Sequence, residues 1–173
     1  MAGSLEFINQ TVTGSDVASV DVDNVFSDKY DVYFFTINNI LSADTSEDVL
    51  GIRLINSSGS VSSSNYLRSL LILRMYDTFT QANSVKTYIN TINLGGNSTS
   101  GGALSGYFFN PYDSSSYTFN TFQSSNNRTS GYNVGRKGIN VHSVAQSERG
   151  FQIINSESNN FESGLTITTY GVK

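Results

Sequence analysis

Hydrophobic and polar residues alternate along much of the chain, and clusters of Gly, Asn, Ser and Asp separate the alternating stretches. Val20 and Val22 alternate with Asp21 and Asp23, which predicts a β-strand with one solvated face. Similar stretches that predict strands are Leu50 to Leu54, Val85 to Leu94, Leu104 to Asn110, Tyr117 to Phe122, Gly138 to Ala145, Phe151 to Ile154 and Leu165 to Val172.

The stretch from Tyr30 to Ile37 is apolar at both sets of alternating positions. Val32 and Phe34 share one face of this predicted strand, and Tyr33, Phe35 and Ile37 share the other. Strands with two apolar faces are usually covered on both sides. We therefore expect a central strand here, with protein packed against each face.

The segment from Tyr66 to Tyr76 fits two patterns. Leu67, Leu70, Leu71 and Met75 have the spacing of a helical stripe, whereas Leu71, Leu73 and Met75 fall on one face of a strand with Arg74 on the other. We favour a strand, because the neighbouring segments in the sequence are strands too.

About ten short strands at nearly regular spacing, with no long helix, predict an all-β fold of the β-sandwich type with antiparallel strands. The chain of 173 residues fits one domain, 1–173. Polar segments at Asn56 to Asn65, Gly95 to Gly102 and Ser124 to Gly131 are interpreted as surface loops, with a binding surface as the alternative. Pro111 suits a turn at Asn110 to Asp113.

Charged residues make up only 14% of the chain, and the net charge is -4. The protein therefore lacks the basic surface that nucleic acid or an anionic membrane requires, and we predict neither partner. The absence of cysteine excludes disulfides and thiolate zinc sites. The residues from Met1 onward have no basic or apolar leader and no apolar run of about 20 residues, so neither a signal peptide nor a membrane anchor is expected.

Four segments carry a resemblance to a known family. Gly164 to Lys173 resembles the closing strand of small jelly-roll modules in structural proteins of tailed bacteriophages of the marine, cyanobacterial type, which often end in GTI-x-x-YG. The opening residues Met1 to Ile8 followed by Phe26 to Tyr33, and later Phe108 to Asp113, look like the same family. The resemblance implies a jelly-roll-like β-sandwich.

The resemblance also implies a virion component, because such modules serve as capsid knobs, head fibres and tail-fibre tips. Since strand pattern begins at Leu5 with no coiled-coil segment before it, we favour a surface decoration or knob of the capsid. It would be made in the host cytoplasm and placed on the virion surface. Its partners would be other virion proteins, host-surface glycans, or further copies of itself in a homo-oligomer, with an edge strand as the simplest docking route.

The alternative is a receptor- or carbohydrate-binding module of a tail fibre. In that role Tyr66, Tyr107, Tyr112 or Tyr132 would stack on sugar rings, although such aromatics are more often core or cross-strand residues. The family has no functional motif that carries over onto particular residues of this chain.

Residues for catalysis are scarce, and we predict a non-enzymatic protein without a cofactor. His142 is the single histidine, no Ser lies in a G-x-S-x-G turn, and a lone His on a strand is usually a surface or half-buried structural residue. A glycan hydrolase remains a remote alternative, because two carboxylates can meet only in the fold.

Three further segments resemble binding sites, but we interpret them otherwise. Gly131 to Gly138 has three residues between glycines where a phosphate loop needs four, and we interpret it as a turn with a solvated basic pair, Arg136 and Lys137, open to an acidic partner. The acidic stretches Asp16 to Asp28 and Asp44 to Asp48 suggest calcium, but they lack the spacing of known calcium loops, so we expect solvated carboxylates and no metal site.

Four N-x-[ST] sequons begin at Asn9, Asn56, Asn97 and Asn127. Asn, Ser and Thr are so frequent in this chain that chance accounts for this number without glycosylation.

Overall fold

The computed structural model describes residues 4–43, 48–75, 80–94, 101–128, 131–157 and 159–173. These residues form twelve strands and no helix, which confirms the predicted all-β fold. Accordingly, the described ranges contain no helix that could cross a membrane. The strands are β1 (Leu5–Val12), β2 (Ser19–Val22), β3 (Val32–Ile40), β4 (Asp48–Asn56), β5 (Tyr66–Arg74), β6 (Thr80–Lys86), β7 (Ile89–Leu94), β8 (Gly102–Phe109), β9 (Thr118–Asn127), β10 (Asn133–His142), β11 (Glu148–Asn155) and β12 (Thr166–Val172).

The strands form two antiparallel sheets of unequal width. The large sheet has eight strands in the order β1-β12-β3-β8-β9-β10-β5-β6, and the small sheet has four in the order β2-β11-β4-β7. The chain passes repeatedly from one sheet to the other, as in a jelly roll, and the β8–β9–β10 meander widens the large sheet. The fold is therefore a jelly-roll-like β-sandwich.

The core lies between the small sheet and the inner face of the large one, and aromatic rings fill its centre. Phe35 stacks on Phe108 with ring centroids 4.8 Å apart, and Phe151 of β11 lies 5.3 Å from Phe108. All three side chains are fully buried. Burying a large apolar side chain contributes about 1.5–3 kcal/mol, so this cluster is a major source of stability.

The structure corrects the expectation that β3 is covered on both sides. Tyr33, Phe35 and Ile37 are buried against the small sheet, but Val32 and Phe34 on the other face are only half-buried. β3 is central within its sheet, between β12 and β8. Its second face is apolar because it belongs to the outer surface described below, not because another layer covers it.

The predicted strand from Val85 to Leu94 is wrong as a single element. The chain bends at Thr87 and Tyr88, so that β6 pairs with β5 in the large sheet and β7 pairs with β4 in the small one. Alternation alone does not show a change of sheet, since both pieces are extended.

The predicted loop from Ser124 to Gly131 and the predicted turn from Gly131 to Gly138 are also wrong in part. Ser124 to Asn127 end β9, and Asn133 to Gly138 begin β10. These polar segments form strands through backbone pairing with their neighbours, and Ser124 Oγ also donates to the Thr91 carbonyl of β7 at 3.0 Å.

Other expectations are confirmed. Tyr66–Arg74 is strand and not helix, and Leu71, Leu73 and Met75 are exposed together. Asn110 to Asp113 form a turn in which the Asp113 N–H donates to the Asn110 carbonyl at 3.3 Å. In the predicted loop Gly95 to Gly102, residues 95–100 lie outside the described residues.

Candidate functional site

The outer face of the large sheet carries an unusual amount of exposed apolar surface. Large apolar side chains that are more than a third exposed lie on its strands or directly after one of them. They are Leu5, Phe7, Val12, Leu67, Leu71, Leu73, Met75, Val85, Tyr107, Phe119 and Ile139. Exposed apolar side chains concentrated on one face of a sheet commonly mark contact sites in soluble proteins. We call this surface the outer face.

An aromatic row crosses four neighbouring strands of the outer face. The sheet register pairs Phe7 with Tyr170, Tyr170 with Phe34, and Phe34 with Tyr107. Ring centroids along the row are 6.0, 6.1 and 5.0 Å apart. Cross-strand aromatic contacts of this spacing stabilise a sheet.

A groove of about 570 Å³ continues from the end of this row across β8, β9, β10, β5 and β6. Ligand sites in proteins commonly have volumes of about 300–1,000 Å³. Tyr107 belongs to both the row and the groove. The other outward side chains that line the groove are Ser69, Leu71, Gln81, Ser105, Thr121, Gln123, Lys137 and Ile139.

Gly138 lies in the floor of the groove, and a side chain at this position would point to the inner side of the sheet. A Cβ atom at this position would lie 2.3 Å from Cε1 of Phe122 and 2.6 Å from Cδ2 of Leu70. The inner side of the sheet is thus already filled by the neighbouring strands. Only glycine allows β10 to pass here without displacing them.

The structure brings together two of the residues that the sequence proposed for binding. Tyr107 is 40% exposed, and Lys137 is exposed two strands away in the same groove. No ion pair joins Lys137 to another of the described residues.

The remaining proposed residues lie elsewhere. Tyr66 is fully buried: its hydroxyl accepts the Leu54 N–H at 2.8 Å and donates to the Ser62 carbonyl at 3.0 Å. Burial raises the pKa of Tyr66 above its usual value. Tyr112 is exposed in the turn after β8, Tyr132 is half-buried before β10, and neither lines the groove.

Arg136 corrects the prediction of a solvated basic pair. Its neighbour Lys137 points outward, whereas Arg136 is 7% exposed and donates through Nη1 to Asn90 Oδ1 at 2.7 Å. Burial, and then repulsion from Arg68, Arg128 and Arg74, lower the pKa of Arg136 to about 10. Successive residues of a strand point to opposite faces, so the two basic residues cannot act as a pair.

His142 is buried and not at the surface, which corrects the expected exposure. Its ring stacks on Tyr66 with centroids 4.7 Å apart, and Nδ1 lies 3.0 Å from Oε1 of Glu148. Gln146 Nε2 donates to the same carboxylate oxygen at 2.8 Å. His142 and Glu148 are 2% and 0% exposed, so a substrate cannot reach them without opening the fold.

The acidic stretches serve structural contacts where they are described. Asp48 is fully buried and accepts hydrogen bonds from Ser42 Oγ, Asn155 Nδ2 and Asn159 Nδ2. Asp23 pairs with Arg149, which lowers the pKa of Asp23. Within the described ranges no three His, Cys, Asp or Glu side chains are grouped as metal ligands. Residues 44–47 of the second stretch lie outside those ranges.

Most residues of the groove could not be predicted from the sequence. Leu71 and Ile139 resemble core residues in their alternation, and Gln81, Thr121 and Gln123 resemble the polar face of any strand. A site assembled from five strands has no local spacing by which one sequence could reveal it. The available signals were the aromatic residue Tyr107 in a predicted strand and the basic residue Lys137.

Comparison with known proteins adds weak structural likenesses. No family model and no curated protein matches the chain. A protein of unknown function from Bacteroides ovatus has a TM-score of 0.23 at 10% identity, over 80% of this chain and 45% of its own. Ail, the attachment invasion locus protein of Yersinia pestis, has a TM-score of 0.19 at 9% identity, over 71% of this chain and 99% of its own.

A structure of infectious bursal disease virus, Gt strain, is similar over 98% of this chain and 40% of its own, with 11% identity and a TM-score of 0.14. The chain therefore spans less than half of the Bacteroides and viral chains. Likenesses at these scores carry no argument about function.

Proposed function

We propose that the protein is a non-enzymatic surface component of a bacteriophage particle, a decoration or knob of the capsid, and that it makes its contacts through the outer face. The observation that carries the proposal is the extent of exposed apolar surface on this one sheet. A solvated scaffold would present polar side chains there, as antiparallel sheets with one wet face normally do. The resemblance of the closing strand to phage jelly-roll modules supports the same assignment.

The placement of the titratable groups supports a non-enzymatic role. His142 and Glu148 are enclosed, and Asp48 is saturated by neutral donors. General acid or base catalysis requires such a group within hydrogen-bond reach of a substrate. These groups act in folding instead.

We propose the free edge of β6 as the attachment point to the particle. Among the described strands β6 pairs only with β5. The register is unbroken from the pair Ile72 and Thr80 to the pair Tyr66 and Lys86. The opposite edge, β1, has an irregular register between Phe7 and Asn9, and its Glu6 bonds Lys29 and Lys173. Bulges and charges protect edges from added strands, so β6 is the better template.

Proline substitutions walked along β6 test this attachment. Positions should alternate: proline at an N–H bonded to β5 destabilises the domain, whereas proline at an N–H on the free edge leaves the fold intact and reduces occupancy on the particle. Occupancy is measured by immunolabelling, and folding by thermal unfolding. Full occupancy of all folded variants would contradict attachment through β6.

The second candidate is a receptor- or carbohydrate-binding module of a tail fibre, which the groove beside Tyr107 favours. Deleting the gene separates the two candidates. A capsid decoration should leave particles that assemble and adsorb at nearly normal rates, with label on the capsid of wild-type particles. Label on the tail together with failed adsorption would transfer the assignment to the fibre.

A further inference from the structure

Tyr107 offers a fixed aromatic surface at one side of the groove. Its ring lies 5.0 Å from that of Phe34 and 6.1 Å from that of Phe109, and its backbone carbonyl accepts Asn120 Nδ2 at 3.0 Å. The ring is nevertheless 40% exposed. A ring held in place and open on one side loses little conformational entropy when a ligand packs on it.

The groove also contains several polar side chains that are unused within the protein. None of the hydroxyl and amide groups lining it makes a side-chain hydrogen bond to another described residue. They are Ser69, Gln81, Ser105, Thr121 and Gln123. These neutral donors and acceptors lie among apolar side chains such as Leu71 and Ile139. They suit a ligand with both hydroxyl groups and apolar faces, such as a sugar chain.

Lys137 sets the charge of the ligand. Its register neighbours across the sheet are Leu71 and Gln123, and no acidic residue lines the groove. An unpaired ammonium group in a groove of neutral side chains favours an anionic group on the bound molecule. One cation is too few for a nucleic acid, whose binding depends on neutralising many phosphates.

The spacing of these groups fits an oligosaccharide. Tyr107 lies on β8 and Lys137 on β10, two strands apart and displaced by two residues along the strands, because Tyr107 pairs with Thr121 and Lys137 with Gln123. This places their Cα atoms about 12 Å apart. A sugar ring on Tyr107 can therefore be followed by a ring whose substituent meets Lys137.

We propose that the groove binds an acidic oligosaccharide, with Tyr107 stacked on one sugar ring and Lys137 paired with the carboxylate of a neighbouring uronic acid. This inference rests on the proposed function only in taking the outer face as the contact surface. The pairing supplies preference for charged over neutral sugars, and the stacking supplies affinity for both.

Titration of the purified protein with oligogalacturonate, its carboxyl-reduced counterpart and a neutral cello-oligosaccharide tests the inference by calorimetry. The wild-type protein should prefer oligogalacturonate, and the preference should fall as salt is raised because the pair is exposed. Lys137→Gln should weaken oligogalacturonate binding about tenfold and leave the carboxyl-reduced ligand unaffected, as expected for one charge-assisted hydrogen bond. Lys86→Gln, outside the groove, is the matched control and should change nothing.

Tyr107→Ala should weaken binding of all three ligands, whereas Tyr107→Phe should retain it, because the ring and not the hydroxyl makes the contact. The matched control is Tyr112→Ala, since Tyr112 is 41% exposed but lies outside the groove. Thermal unfolding confirms that each variant is folded.

Absence of binding, equal affinity for the charged and reduced ligands, or an unchanged Lys137→Gln variant would overturn the inference. Equal affinity for a sulfated oligosaccharide would overturn the carboxylate assignment. These outcomes are separate from the location of the protein, because they use the isolated chain: a capsid protein that fails to bind sugar loses only this inference, and a sugar-binding protein absent from particles loses only the proposed function.

Discussion

At the scale of single residues, substitution of His142 tests whether the buried pair of His142 and Glu148 stabilises the fold or takes part in binding. His142→Ala removes a ring that stacks on Tyr66 and leaves the Glu148 carboxylate with Gln146 as its described partner. We expect the free energy of unfolding to fall by about 2–4 kcal/mol, because the variant has a cavity in place of the ring and the buried Glu148 carboxylate loses a polar neighbour. Urea unfolding measures the loss, and ligand binding by the folded fraction should not change.

The exposed Tyr112→Ala variant serves as the control, with an expected change within about 0.5 kcal/mol. If His142→Ala kept full stability, the stacked pair would not contribute to the fold as described.

The same residue scale shows what the sequence could not predict. Tyr66 and Tyr107 both stand in alternating strands, yet one is enclosed and the other lines the groove. The period of two assigns residues to a face but does not say which face meets the second sheet. For β5 this decision depends on packing contacts with strands far away in the sequence.

At the scale of elements, Gly150 shows how closely β11 approaches β2. A Cβ atom there would lie 2.3 Å from the Val22 carbonyl oxygen and 2.9 Å from the Asp23 Cα, both backbone atoms that cannot turn aside. Gly150→Ala should therefore lower the free energy of unfolding by about 1–3 kcal/mol or more. Gly14→Ala is the matched control, because no atom lies within 4 Å of its added Cβ. Equal unfolding midpoints for the two variants would contradict the close approach.

The closing strand β12 is an interior element and not an edge, because it pairs with β1 on one side and β3 on the other. Removing 164–173 deletes the buried Leu165 and Ile167 and separates β1 from the sheet. Each buried aliphatic contributes about 1.5–3 kcal/mol against a total of about 5–15, so we expect no soluble folded protein.

Deletion of 1–12 gives the comparison for this prediction. It removes an edge strand whose Leu5 and Phe7 are exposed, and it should be tolerated better. Circular dichroism and soluble yield measure both deletions; a folded 164–173 deletion would show that β12 is dispensable.

The period-two pattern predicted a strand from Leu165 to Val172, and β12 occupies Thr166–Val172. It failed at Ser124 to Asn127, where polar residues continue β9 through its pairing with β8 and β10, and Ser124 also bonds to β7 of the other sheet. Local pattern thus predicts strand segments that bury apolar groups, and it misses polar segments that are held by backbone pairing.

At the scale of the whole molecule, a charged cluster joins β1, the segment before β3 and the end of the chain. Lys173 and then Lys29 lower the pKa of Glu6 to about 2, from 4.5. Because the pKa of Glu6 is lower in the folded chain than in the unfolded chain, the ionised carboxylate stabilises the fold at pH values above about 4.5. This stabilisation is lost as the pH falls from about 4.5 to 2. The melting temperature of the wild type should exceed that of Glu6→Gln at pH 7, and the difference should vanish near pH 2.

Raising the salt concentration at pH 7 should also reduce this difference, because all three side chains are exposed and their interaction is screened. A difference independent of pH and salt would indicate that Glu6 acts through packing instead.

The antiparallel pairing of β1 with β12 has a consequence for protein engineering. Leu5 lies opposite Val172, and the Lys173 N–H donates to the Ser4 carbonyl at 3.0 Å. A short peptide could therefore join residue 173 to residue 4, and new termini could be opened in the polar loop between β4 and β5. Domains with neighbouring ends commonly tolerate such circular permutation. One row of paired residues runs from Glu6 through Gly171 and Tyr33 to Arg68, so the new termini would lie at the same end of the strands but at the far side of the large sheet. A permuted chain would therefore carry any fused cargo beside β5 while leaving all twelve described strands in place.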